Sequence, residues 1–247
     1  HGMADSLQAQ LRSLGFSSGQ KSGRIECRLQ SAVGWNDESY RIVVKEDKVV
    51  LEASCRTGLF RASQTFLQML RAGKGKVRAC SIDDAPRYGW RGFMVDESRH
   101  FFGKEKILQY LDIMAALKMN VFHWHLTDEP GWRIEIKRYP KLTAEGAVGN
   151  WHDASAPARF YTQDDIREIV AYAQARRIMV VPEFDMPGHA TAVCRAYPEV
   201  SGGGEGRWKH FTFHPCKAET YDFIENILDE LFQLFPSPYI HIGGDEV

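Results

Sequence analysis

Cysteine is scarce in this chain: Cys27, Cys55, Cys80, Cys194 and Cys216 are an odd five among 247 residues, with no close pair. That spacing offers no cysteine-based metal cluster and argues against a disulfide framework, so ordinary buried thiols are expected. Long apolar runs are missing too; none approaches the ~20 residues that a membrane-spanning helix needs. Neither sign of charge dominates, since 31 Lys and Arg face 32 Asp and Glu for a formal net charge of −1. Nucleic acid and membrane surfaces are therefore not expected as partners.

What remains is ample material for a core. At 44% hydrophobic, 247 residues suffice for one barrel-sized domain or two smaller ones. His1-Gly2-Met3 has the look of a tag remnant and is set aside. A short helix is expected over 7–15, then a polar turn over 17–22. Strands are expected at Arg24–Leu29, Tyr40–Val44 and Lys48–Ala53, the last two joined by a turn at 45–48. Between 57 and 70, Leu59, Phe60, Phe66, Leu67 and Leu70 fall at helical spacing. Three strands and a packed helix make a small α+β domain over 4–82, with the junction marked by 74–76 and Asp83-Asp-Ala-Pro86.

From residue 83 onward the texture becomes alternating strand and helix. Strands are expected at 92–95, 120–126, 178–184 and 239–242, with helices at 104–118, 166–176 and 219–235. Thr162-Gln-Asp-Asp165 resembles a helix entry. A long loop is expected after the second strand, through 160, and a glycine-rich excursion at 201–206. Strands alternating with helices imply a parallel sheet. An open doubly wound sheet should carry a glycine-rich phosphate loop at its first turn. Asp96-Glu-Ser-Arg-His-Phe-Phe-Gly103 has none. The expectation is a TIM-type (β/α)8 barrel represented over 83–247 by its first four βα units, with strands five to eight absent from this stretch.

In such barrels the chemistry sits at the C-terminal ends of the strands, and that is where the notable polar residues fall. Arg99 follows the first strand, three residues past Asp96; a guanidinium there can fork onto hydroxyls or a carboxylate. An ion pair with Asp96 or Glu97 explains it equally well. His123 and His125 share a strand face with Asp128 beyond them. Two histidines at that spacing can chelate a divalent metal, but inward hydrogen-bonded histidines are the commoner arrangement. Trp124, Trp132 and Trp151 are expected as core or loop packing. Asp185 and His189 flank Pro187-Gly188 after the third strand and can both face the mouth. The chain then reaches Gly243-Gly-Asp-Glu246. Paired carboxylates repel, so one is expected to hold a proton near neutral pH, the state a general acid needs. An ordinary turn has the same composition.

Four strand-end stretches together carry a resemblance. Trp90-Arg-Gly-Phe-Met-Val-Asp-Glu-Ser-Arg-His-Phe101, His123-Trp-His-Leu-Thr-Asp-Glu-Pro-Gly-Trp-Arg133, Val181-Pro-Glu-Phe-Asp-Met-Pro-Gly-His-Ala190 and His241-Ile-Gly-Gly-Asp-Glu-Val247 resemble the successive signatures of family 20 glycoside hydrolases, the β-N-acetylhexosaminidases. The resemblance extends to His214-Pro-Cys-Lys-Ala-Glu-Thr-Tyr221 and to the small preceding domain. It implies retaining hydrolysis in which the substrate's own 2-acetamido group is the nucleophile. Glu246 would be the acid and then the base, and Asp245 would orient the acetamido group. Arg99 would hold sugar hydroxyls, His189 with Asp128 behind it would tune Glu246, and Asp185 would be a supporting carboxylate. No metal and no cofactor are implied. The implied partners are a glycan or glycoconjugate ending in N-acetylhexosamine and the remaining C-terminal half of the barrel. Glu129-Pro130 departs from the family's more frequent Asp-Gln.

Other readings remain open at this stage. Gly-Gly-Asp-Glu also begins the signature of certain nucleotide cyclases, which place it on a hairpin in a ferredoxin-like domain. A metal-dependent barrel hydrolase would use His123 and His125. A half-barrel with only a sugar-binding or structural role is the non-enzyme reading.

Overall fold

The computed structural model describes residues 2–13, 15–16, 23–30 and 32–246. The expected turn at 17–22 lies outside the described residues. The chain divides into two compact units, one of residues 1–91 with 114–119 and one of 92–113 with 120–247.

The first unit contains α1 (Gly2–Ser13), β1 (Arg24–Leu29), β2 (Tyr40–Val44), β3 (Lys48–Ala53), α2 (Arg56–Ala72) and β4 (Cys80–Asp84). Its sheet runs β1-β3-β2-β4, with β1 parallel to β3 and the other pairs antiparallel. Leu59, Ala62, Phe66 and Leu67 of α2 pack with Tyr40, Ile42, Leu51 and Ala53 of the sheet. Helix and sheet meet closely enough that a Cβ on Gly58 would lie 2.4 Å from the Ser39 carbonyl oxygen. Two expectations change here. The helix α1 begins at Gly2, so Gly2 and Met3 belong to a folded element. Asp83 and Asp84 are the end of an edge strand and not a linker. An edge strand tolerates charge, and Asp83 forms a 2.7 Å cross-strand ion pair with Arg41, its register partner on β2.

The thiols also depart from expectation. Cys194 is buried, but Cys27 and Cys216 are exposed and Cys55 and Cys80 half-buried. Cys27 lies on β1, which among the described residues pairs with β3 alone and forms an edge of the sheet.

In the second unit β5 (Gly92–Asp96), β6 (Val121–His125) and β9 (Met179–Glu183) form a parallel sheet in that order. Helices α3 (Lys104–Ala116) and α5 (Gln163–Ala175) link them. Thr162 opens α5 with a reciprocal cap: its side chain accepts from the Asp165 N–H, and the Asp165 carboxylate accepts from the Thr162 N–H. After α6 (Thr191–Ala196), the long α7 (Ala218–Leu234) buries Phe223, Ile227, Leu231 and Leu234, spaced four, four and three residues apart.

The expected fourth strand is reduced to one parallel bridge, between His241 and Glu183. His241 N–H donates to the Pro182 carbonyl at 2.9 Å, and Phe184 N–H donates to the His241 carbonyl at 3.0 Å. Pro182 has no N–H, so it cannot supply the preceding rung. The segment still lies beside β9 and continues the order of the sheet. Nor is the long loop after β6 structureless. It holds a two-rung hairpin of β7 (Thr127–Asp128) and β8 (Gly131–Trp132), and a short α4 (Lys141–Ala144).

Arg133 gathers that loop. Its guanidinium is 1% exposed and donates from Nε to the Glu97 carbonyl. Nη1 donates to the carbonyls of Ala147 and Arg159, and Nη2 to those of Ser98 and Gly149. Five donors meet five carbonyls at 2.7–3.2 Å. This ties the segment after β5, which carries Arg99, to the segment after β6.

Candidate active site

The strand order places four segments side by side at the C-terminal edge of the sheet. Asp96 closes β5, Asp128 lies just beyond β6, Asp185 and His189 follow β9, and Asp245 and Glu246 follow the bridge at His241. These positions were singled out separately in the sequence, and the fold gathers them.

Asp128 is the hub, with its side chain fully buried. Oδ2 receives Arg99 Nη1 at 2.7 Å and His125 Nε2 at 2.8 Å. Oδ1 receives the Glu129 N–H at 2.6 Å and faces His189 Nδ1 at 3.1 Å. Burial opposes its charge, but His125, the Glu129 N–H and Arg99 outweigh that and hold the carboxyl below its ordinary range. Arg99 also binds Asp96, at 2.8 Å. Arg99 is thus ion-paired, as one of its two explanations expects, and its side chain remains 38% exposed.

His189 reaches from Asp128 toward the paired carboxylates. Its ring is 4% exposed, and Nε2 stands 3.5 Å from Glu246 and 3.6 Å from Asp245. Backbone φ is 53° at His189 and 51° at Glu246, a left-handed conformation that costs non-glycine residues energy and is concentrated at functional sites. Glu129 also approaches the His189 ring, at 3.4 Å from Nδ1.

Asp185 is 4% exposed. Its own burial first, and then the charges of Asp245 and Glu183, push its carboxyl up to about 6. A Cβ at Gly243 would fall 1.6 Å from Asp185 Oδ1, and Gly243 has φ of 67°. Glycine is required there on both counts. Gly244, at φ 104°, is needed for its dihedral alone, because nothing lies near its missing Cβ.

His123 and His125 do share a face of β6, and Glu183 of β9 engages both. Glu183 Oε2 lies 2.5 Å from His123 Nε2 and 2.8 Å from His125 Nδ1, while Oε1 lies 3.2 Å from His241 Nδ1. Burial opposes the charge on Glu183, yet hydrogen bonds from His123 and His125 prevail and hold it well below the carboxylate range. Trp124 and Trp132 are fully buried as expected, whereas Trp151 is 63% exposed in the loop after α4.

Sequence reasoning gave no role to Glu183 or Arg133, and offered Glu97 only as an ion-pair partner for Arg99, which pairs with Asp96 and Asp128. Glu183 and Asp185 are two apart, which places both on one face of an extended segment, and that spacing was the available signal. Arg133 carried none, since its partners are backbone carbonyls of separate loops; Glu97 accepts from the nearby Phe102 N–H at 2.9 Å.

Comparisons with known proteins place the chain in a family. Residues 88–247 match the family model described as glycosyl hydrolase family 20, catalytic domain, and residues 1–85 match that of family 20, domain 2. The chain belongs to glycoside hydrolase family 20. It is 38% identical to a beta-hexosaminidase of Porphyromonas gingivalis, covering 99% of this chain and 34% of that protein. A beta-hexosaminidase of Vibrio furnissii is 39% identical over 91% of this chain and 40% of its own length. Among solved structures, the family 20 β-N-acetylhexosaminidase of Streptomyces coelicolor superposes with a TM-score of 0.89 at 36% identity, covering 100% of this chain and 53% of that one. The Vibrio harveyi exo β-N-acetylglucosaminidase in complex with N-acetylglucosamine gives 0.86 at 31% identity, covering 100% and 42%. The chain therefore pairs the family's small N-terminal domain with a portion of its TIM-barrel catalytic domain. It spans about a third to a half of the length of these relatives.

Proposed function

We propose that the protein acts as a retaining β-N-acetylhexosaminidase, releasing terminal N-acetylhexosamine from glycans by substrate-assisted catalysis. The observation that carries this reading is the line Asp128–His189–Glu246, with Asp245 beside it and Arg99 on the other flank. The βα units seen here are, in this reading, the first four of eight, and the C-terminal half of the barrel completes the pocket.

The chemistry follows from the placement. Glu246 protonates the glycosidic oxygen as its bond to the anomeric carbon breaks, and the acetamido oxygen bonds to that carbon to form an oxazolinium ion. Asp245 accepts the acetamido N–H and offsets the positive charge as it develops. Glu246, now a carboxylate, takes a proton from water, whose oxygen opens the ring with retention. His189 donates to Asp128 through Nδ1, which orients Nε2 toward Glu246 in both of its protonation states. Asp185 limits how far Gly243 can move, and so supports the turn that presents Asp245. Arg99, braced by Asp96 and Asp128, has further N–H groups for hydroxyls of the terminal sugar.

Hydrolysis of an aryl N-acetylglucosaminide by the full-length protein, in the presence and absence of chelator, tests the reading. Chelator-resistant release of the aryl group is expected, together with inhibition by a thiazoline mimic of the oxazolinium ion. Chelator-sensitive activity, or indifference to the thiazoline, would overturn it. Asp245→Asn is expected to lower kcat more than it raises KM; an effect confined to KM would remove Asp245 from the acetamido role.

A further inference from the structure

The buried pair Glu183–His125 lies behind the proposed machinery and touches none of the reacting atoms. His125 is 5% exposed and Glu183 6%. Each ring nitrogen of His125 faces a carboxylate, Nδ1 toward Glu183 and Nε2 toward Asp128, both at 2.8 Å. A carboxylate only accepts, so a ring bonded to one on each side donates from both nitrogens and is an imidazolium. We propose that Glu183 and His125 are positioning residues, a buried cation and its anchor that keep Asp128 ionised and keep Asp128 Oδ1 turned toward His189. This rests on the hexosaminidase reading only for its kinetic consequence.

The two oxygens of Asp128 divide their partners. Oδ2 is occupied by His125 and Arg99, which leaves Oδ1 to the Glu129 N–H and His189. Arg99 alone would not fix the carboxylate, because it is shared with Asp96 and is 38% exposed. Without a cation at His125, the buried Glu183 and Asp128 would lose the charge they share, and Asp128 would be left with Arg99 as its cation. The groups around His125 are Asp96 of β5, Arg99 beyond it, His123 on its own strand, Asp128, Glu183 of β9, Asp185 and His189 beyond β9, and His241 on the bridged segment. Burial opposes charge on the ring, but Asp128, Glu183 and Asp96 together raise it to about 10. The cation is therefore present across the whole neutral range.

The two residues have opposite signatures. In His125→Gln, Asp128 loses the partner that stabilises its anion, so its proton is retained to higher pH. The acidic limb of kcat/KM is expected to move up by about one pH unit. In Glu183→Gln, His125 loses one of its two anions and deprotonates nearer neutrality. The basic limb is expected to move down by a similar amount, with KM changed less than kcat. A purely structural role would lower the plateau and leave both limbs in place, and that result would overturn the proposal.

A second measurement does not depend on turnover. In the protein labelled with ¹⁵N-histidine, the His125 ring is expected to remain an imidazolium at pH 9, and to titrate below pH 9 in Glu183→Gln. A neutral His125 at pH 7 in the unsubstituted protein overturns the proposal even if the enzyme is active. A charged His125 in a protein that hydrolyses no hexosaminide would instead refute the functional reading and leave the buried cation standing.

Discussion

Arg133→Met removes the fastening between the segments after β5 and β6. The substitution keeps length and apolar bulk but deletes five N–H donors, each bonded to a carbonyl at 2.7–3.2 Å. A hydrogen bond from a charged donor contributes ~1.5 kcal/mol net, so five would total roughly 7 kcal/mol. Against this, methionine avoids the cost of burying a guanidinium, several kcal/mol per ion after relaxation. Burial does press on this group, whose guanidinium is pulled down to about 10. The difference leaves a destabilisation of ~3–4 kcal/mol, carried chiefly by carbonyls left without donors. Equilibrium urea unfolding of the protein and of the variant measures it. Backbone hydrogen exchange should rise together at 97–103 and 147–161, because one side chain holds both stretches. A stability loss below ~1 kcal/mol, or faster exchange in only one stretch, would refute the reasoning.

Glu97 is fully buried, and burial pushes its carboxyl from 4.5 up to about 7. The folded state then binds a proton that the unfolded state releases, so this group costs stability as pH rises from ~4.5 to ~7. At about 1.4 kcal/mol per pH unit, the cost above pH 7 is ~3.5 kcal/mol. Glu97→Gln should therefore stabilise the protein at pH 8 and leave it nearly unchanged at pH 4.5, as denaturant midpoints at the two pH values will show; an equal effect at both contradicts the shift. Gly243→Ala would drive a methyl into Asp185 at a positive φ. It is expected to abolish turnover while far-UV circular dichroism stays intact, and an active variant would mean the turn is not held against Asp185 as described.

Much of this architecture could be read from the chain because its signals are local. β2 and β3 show up as β-branched runs, Ile42-Val-Val44 and Val49-Val50, on either side of a turn, and the entry to α5 as the Thr162–Asp165 cap. Arg99, Asp128, His189 and the carboxylate pair stand out in the sequence because they follow expected strands, and the fold brings them to one edge of the sheet. What escaped was decided by tertiary neighbours. β4 carries two aspartates that suit an edge and suggest a linker. The segment at His241 loses its ladder to Pro182, a residue on the neighbouring strand. Glu183 gains its meaning only when β9 lies beside β6 and brings it to His125, and Arg133 only when two loops fold around one guanidinium.

The central claim is that Glu246 is the proton donor of a substrate-assisted hydrolysis. Glu246→Gln, assayed on a pair of N-acetylglucosaminides with good and poor leaving groups, tests it most directly. An activated aryl leaving group departs with little need of a proton, whereas an alkyl or sugar leaving group depends on one. The account predicts that kcat/KM collapses for the poor leaving group and is largely spared for the activated one. Equal losses on both substrates would contradict it.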